Sequence, residues 1–221
     1  MADTARYPLL GLSRLRMATD GKGVTTLVAG AGCPLRCEWC INRRLLAEKP
    51  PEWVSPETLF ERTRVDNLYF QATGGGLCFG GGEALLHTAF VAAFRPLTGG
   101  AWKLTAETSL HVPEQTLAAA LTCFDDFIVD IKSMDAHVYR RYAGGDAGLV
   151  LRNLKTLASS VPPERVRLRV PLIPGYNDEA DQQNSEALLR ELGFTQIELF
   201  PYVIKDEPPA AGREAPSLVT G

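Results

Sequence analysis

Six short runs rich in β-branched and apolar residues recur along the 221-residue chain, each followed by a longer segment of helical character. The runs are Val24–Ala29, Leu77–Gly80, Trp102–Ala106, Phe127–Ile131, Val166–Val170 and Gln196–Phe200. Helices are predicted over Pro56–Val65 after Ser55, Ala84–Phe94, Pro113–Leu121, Asp135–Tyr142, Val150–Ser159 and Asp178–Leu192, the last stopped by Gly193. Strand followed by helix, repeated in this way, demands a parallel sheet covered by helices, because a parallel neighbour is reached only through a crossover. No seventh or eighth unit follows. The fold class expected is therefore α/β, a partial (βα)6 barrel with parallel strands, open on one side.

The length suits one sizeable core, and a single domain over 1–221 is expected, with its core at about 11–202 and an irregular tail at 203–221. That tail, "VIKDEPPAAGREAPSLVTG", is rich in proline and small residues. The formal charge of −3 is dispersed, and no lysine-arginine block is present to follow a nucleic-acid backbone or an anionic membrane. The apolar runs, such as the one around Thr25 to Ala31, fall far short of a bilayer span, and the N-terminus lacks an uninterrupted apolar core. A cytoplasmic protein without nucleic-acid or membrane partners, and monomeric, is expected.

The strand ends carry the chemistry. In β/α barrels functional groups sit at the carboxyl ends of the strands. Here those ends read "GCPLRCEWCIN", then "GGGEA", "ETS", "DIK", Arg169 with "PLIPGYND", and "FPY". All six clusters are expected to face one cavity.

Three of five cysteines, Cys33, Cys37 and Cys40, crowd the first of these loops, while Cys78 and Cys123 stand alone in apolar surroundings. An odd, clustered set does not make a disulfide framework, and the two isolated thiols read as small buried hydrophobes. Three clustered thiolates point to zinc or to an iron-sulfur cluster. A structural zinc ion would need a fourth ligand, yet His87, His111 and His137 fall at no customary spacing. With three thiolates on a 4Fe-4S cluster, one iron stays open to an outside ligand.

The C-x3-C-x2-C spacing resembles that of radical S-adenosylmethionine (SAM) enzymes, and Trp39 before the last cysteine matches it as well. The resemblance implies that Cys33, Cys37 and Cys40 hold a 4Fe-4S cluster and that SAM chelates the fourth iron. Reductive cleavage of SAM to methionine and a 5′-deoxyadenosyl radical, followed by hydrogen abstraction, is the chemistry it implies. Gly81-Gly82-Glu83 resembles the motif that receives the SAM amino group. Glycines let backbone approach a ligand, and a carboxylate suits an ammonium.

The flanks narrow the resemblance. "DGKGVTTLVAGAGCPLRCEWCIN", "DIKSMD", "RNLKTL", "RVPLIPGYND" and "IELFPY" are similar to the glycyl-radical-enzyme activases, over about Gly11 to Tyr202. That similarity implies an oxygen-sensitive enzyme that installs a glycyl radical on a partner enzyme, with a flavodoxin- or ferredoxin-like electron donor. It implies SAM contacts from Asp130, Lys132, Arg169 and Tyr202, and a monovalent cation held by Glu107, Thr108 and Asp130. Asp20 and Asn42 would lie near the cluster, along the partner's entry path. No protein general base is assigned. Lys22, Ala84 and Val203 depart from the family pattern, Val203 standing where a family member places a histidine on SAM. Two other readings stay open: a radical SAM enzyme acting on a peptide or small metabolite, and a non-enzymatic metal-binding module.

Overall fold

A computed structural model of the protein describes residues 5–17 and 19–204. The expected irregular tail therefore lies, from residue 205 onward, outside the described residues.

One eight-stranded sheet organises the chain. Its strands are β1 (Tyr7–Met17), β2 (Val24–Gly30), β3 (Glu52–Val54), β4 (Gly76–Gly81), β5 (Lys103–Thr108), β6 (Asp126–Asp130), β7 (Val166–Leu172) and β8 (Gln196–Pro201), in the spatial order β3-β1-β2-β4-β5-β6-β7-β8. From β2 through β8 every pairing is parallel. These six strands are the six runs read from the sequence. Two more, β1 and β3, extend the sheet antiparallel beyond β2.

The helices are α1 (Arg43–Glu48), α2 (Pro56–Thr63), α3 (Asn67–Thr73), α4 (Thr88–Phe94), α5 (Glu114–Cys123), α6 (Ala136–Ala143), α7 (Ala147–Ser160) and α8 (Glu179–Glu191). Their starts follow the capping rules: Ser55 accepts from the Thr58 amide ahead of α2, Asp135 from Val138 ahead of α6, and Asp178 with Asp181 forms a reciprocal box on α8. Only α1 and α3 lie outside the expected set. Part of the expected helix at Ala84–Phe94 is a tighter 3-10 turn over Ala84–His87.

Alternation along the parallel strands gives the sheet its two chemistries. Leu77 and Phe79, Leu104 and Ala106, Phe127 and Val129, Leu168 and Val170 all belong to one buried core. Burial of side chains of this size stabilises by about 1.5–3 kcal/mol each. The intervening residues Gly80, Glu107, Asp130 and Arg169 face one another on the opposite, concave side. Cys78 and Cys123 are buried, as their surroundings suggested. No helix among the described residues is long and apolar enough to cross a membrane.

Candidate active site

The cysteine loop leaves β2 and is pinned from two sides. The amides of Arg36 and Glu38 donate to the carbonyls of Ala143 and Tyr142, both at 2.9 Å, which ties it to the end of α6. Leu35 enters the core. On the other side, the Gly82 and Glu83 amides donate to the carbonyls of Gly30 and Gly32 at 3.0 and 2.8 Å, and the Asn42 amide group donates to the Gly81 carbonyl at 2.8 Å. Gly81 has φ of +85°, and a Cβ on Gly82 would collide with the Gly32 carbonyl, so the two glycines are what allow the two loops to touch. Cys33 is exposed while Cys37 and Cys40 are half-buried. Burial, then the charges of Glu83 and the other two thiols, push the Cys33 thiol up to about 11. Burial also raises Cys37, against the opposing pull of the Lys132 ammonium.

Among the described residues no three His, Cys, Asp or Glu side chains are grouped so as to hold a single metal ion. The donor set fits a cubane cluster: three thiols on one loop, beside a cation, with no fourth ligand grouped with them among the described residues. Two of the three histidines serve the scaffold. His87 Nε2 donates to the Ala31 carbonyl at 2.9 Å, and His111 Nε2 accepts from the Asp146 amide at 2.9 Å.

Beside the loop lies a charged group drawn from three strands. Arg169 Nε donates to Asp130 Oδ1 at 2.6 Å, and its other arm donates to Glu107. Lys132 lies 3.3 Å from Asp130. Asp130 and Arg169 are register partners on β6 and β7, so the sheet itself sets this pairing. Burial works against the Asp130 carboxylate, but Lys132 and Arg169 outweigh it and hold its pKa below the ordinary range. Burial would likewise lower Lys132, yet Asp130 keeps it raised and charged. Glu107 is raised by burial and by the neighbouring Asp130. Lys132, paired with Asp130, is the cation that acts on Cys37.

The structure separates Glu107 from Thr108. Glu107 turns to Arg169, whereas the Thr108 hydroxyl donates to Glu83 Oε1 at 2.5 Å. Consecutive strand residues point to opposite faces. Of the three groups expected to share a monovalent cation, Glu107 and Asp130 thus meet at Arg169, while the Thr108 hydroxyl is turned to Glu83.

Glu83 is held by its own chain. Its carboxylate is buried and accepts from the Thr108 hydroxyl, the Leu85 amide, and both the amide and the hydroxyl of Ser109. With four donors from its own chain it acts as a strut between the ends of β4 and β5. Ser109 belongs to the "ETS" cluster read from the sequence, without a role assigned to it there.

Of the remaining expected residues, Tyr202 donates its hydroxyl to the Trp39 carbonyl, linking the end of β8 to the cysteine loop. Asn42 is engaged with Gly81 and so braces the loop. Asp20 lies elsewhere: it is 4% exposed and ion-paired with Arg16, in the turn before β2. Lys22 in that turn donates to the Glu164 carbonyl and sits 3.6 Å from Asp126, at the amino ends of the parallel strands. Seven residues of β2, about 20 Å of extended chain, stand between this turn and the cysteine loop.

An open α/β barrel with a three-thiol loop and a buried lysine at the carboxyl ends of its strands defines a class of cluster-dependent enzymes. The sequence model of the radical SAM superfamily matches residues 27–183, more than half of the chain, and the chain belongs to that superfamily. Its members use a 4Fe-4S cluster and SAM. Among curated proteins, the chain is 26% identical to the (2S)-3-sulfopropanediol sulfolyase activating enzyme of Bilophila wadsworthia, over 72% of each chain. It is 27% identical to the pyruvate formate-lyase 2-activating enzyme of Escherichia coli, over 86% of this chain and 75% of the relative. Among solved structures, Streptococcus suis SuiB shares the fold with a TM-score of 0.61 at 12% identity, over 81% of this chain and 40% of SuiB.

Proposed function

We propose that this chain is an activating enzyme that removes a hydrogen atom from a glycine of a partner enzyme and so installs a glycyl radical there. The observation that carries the reading is the convergence of the cysteine loop with Lys132, Asp130 and Arg169 at one end of the sheet, in a chain whose relatives are activating enzymes. When bound, a 4Fe-4S cluster and SAM supply the electron and the 5′-deoxyadenosyl radical that abstracts hydrogen. Cys33, Cys37 and Cys40 would hold the cluster. Lys132 would pair with the SAM carboxylate, a role that suits a cation kept charged by Asp130. Arg169 holds Asp130 in place, leaving one carboxylate edge for the ribose. Gly81 and Gly82 bring backbone close to the ligand, and Glu83 fixes that backbone. Tyr202 and Trp39 close the loop against β8. A flavodoxin- or ferredoxin-like donor would supply the electron.

The test is anaerobic reconstitution with iron and sulfide, followed by SAM and a strong reductant. 5′-Deoxyadenosine is expected from wild type and not from Cys37→Ala. Addition of a glycyl-radical enzyme is expected to yield an organic radical by EPR that is localised to glycine by deuteration. Deoxyadenosine without a glycyl radical on any partner tried, but with label transfer from a peptide or metabolite, would replace this reading with the alternative target class. A loaded cluster that leaves SAM intact in the presence of partner would refute it.

A further inference from the structure

Tyr139, in the first turn of α6, is 1% exposed, and its hydroxyl has no hydrogen-bond partner. Nothing in the sequence singled it out. Its ring lies under the cysteine loop, stacked on His111 with centroids 6.1 Å apart. A Cβ added at Gly145 would strike Leu35 of the loop, His111 and the Tyr139 ring at 2.6–2.9 Å, so these three groups meet at one point. The same helix is bonded to the loop through Ala143 and Tyr142, which holds the ring in register with the thiols.

A buried hydroxyl without a partner is costly, and native structures rarely tolerate one without a reason. The charged and titratable groups that act on it are Lys132, Cys37, Glu83 and Cys33. Lys132 offers only donors. Both oxygens of Glu83 are already taken by Thr108, Leu85 and Ser109. Of these four groups, the sulfurs of Cys37 and Cys33 are the acceptors with capacity left. Burial raises the phenol far above its ordinary value, so the hydroxyl keeps its proton and has it to donate.

We infer that Tyr139 is a positioning residue for the cluster, its hydroxyl donating a hydrogen bond to sulfur on the Cys37 side of the 4Fe-4S group that the loop holds. The inference rests on the reading that this loop binds such a cluster. Hydrogen bonds to cluster sulfur stabilise the reduced, more negative state and raise the reduction potential. Tyr139 would thereby ease the loading of the electron that the reaction needs.

The test is a redox titration of the reconstituted protein followed by EPR, without SAM. Tyr139→Phe keeps the ring and removes the donor. Incorporation of 3-fluorotyrosine at position 139 keeps the ring and strengthens the donor. The midpoint is expected to shift negative in Tyr139→Phe and positive in the fluorinated protein, with iron and sulfide content equal to wild type. An unmoved midpoint in fully loaded Tyr139→Phe overturns the inference, and so does a shift of the same sign in both, which is the mark of altered packing. If Tyr139→Phe loads poorly, the sign of the shift in the fluorinated protein decides alone. A wild type that loads no 4Fe-4S cluster removes the underlying reading and the inference together, whereas a loaded wild type with an unmoved variant removes only the inference.

Discussion

Thr108 donates a 2.5 Å hydrogen bond to the carboxylate of Glu83, joining the end of β5 to the turn after β4. With Ser109 and Leu85 it leaves Glu83 without a free oxygen. The turn that carries Gly81 and Gly82 is held by this carboxylate before any ligand arrives.

Glu83→Gln places an amide donor against donors already present. The apo protein is expected to lose roughly 2 kcal/mol, within the cost of leaving buried donors unpaired. Urea unfolding of metal-free protein measures it. An apo protein as stable as wild type would show that the strut is dispensable and that the carboxylate is reserved for a ligand.

Arg169→Met removes the cation between Glu107 and Asp130. Removing one partner of a buried ionic group costs about 3–5 kcal/mol, and this network, partly open on its concave side, belongs at the lower end of that range. Adding Glu107→Gln in the same chain is expected to recover part of the loss, read as a coupling energy in a double-mutant cycle. Strict additivity would mean that the two side chains do not interact.

Asp66 accepts from Arg14 Nε at 2.8 Å and from the Thr26 hydroxyl at 3.0 Å. The Arg14 hydrogen bond, against the opposing effect of burial, holds its pKa below the ordinary value. The folded state therefore binds that proton less readily than the unfolded chain, and the stability it confers is present above about pH 4 and lost as pH falls through the lower folded value. Asp66→Asn should be less stable than wild type at pH 7, with the difference shrinking in acid. A pH-independent difference would assign the effect to packing.

Cys33, Cys37 and Cys40 are each expected to be required for cluster loading. Cys123→Ala should load iron normally and lose about 1 kcal/mol of stability, because that thiol is 2% exposed and donates only to backbone carbonyls of Thr88, Ala119 and Ala120. Iron content and thermal unfolding separate the two effects. Loss of iron in Cys123→Ala would reopen the ligand assignment.

Residue order alone determined the six parallel strands and the helices that follow them, because alternating apolar runs and capping residues are local signals. It determined the crowding of three thiols for the same reason, since eight consecutive residues need no fold to bring them together. The opposite orientations of Glu107 and Thr108 were legible too, as neighbours on a strand, although similarity to a family had grouped them. Strands β1 and β3 were hidden. β1 carries Pro8 and Gly11 and two register shifts, which blur its alternation, and β3 has only three residues.

Tertiary structure alone decided the partners of charge and hydroxyl. Arg169 meets Glu107 across 62 residues, and Glu83 meets Ser109 across 26. The ring of Tyr139 lies beside Leu35 of the cysteine loop only because α6 docks there through Ala143 and Tyr142. Hydrogen bonds and ion pairs act over a few ångströms, and which groups come within that range is set by strand register and helix docking rather than by their order along the chain.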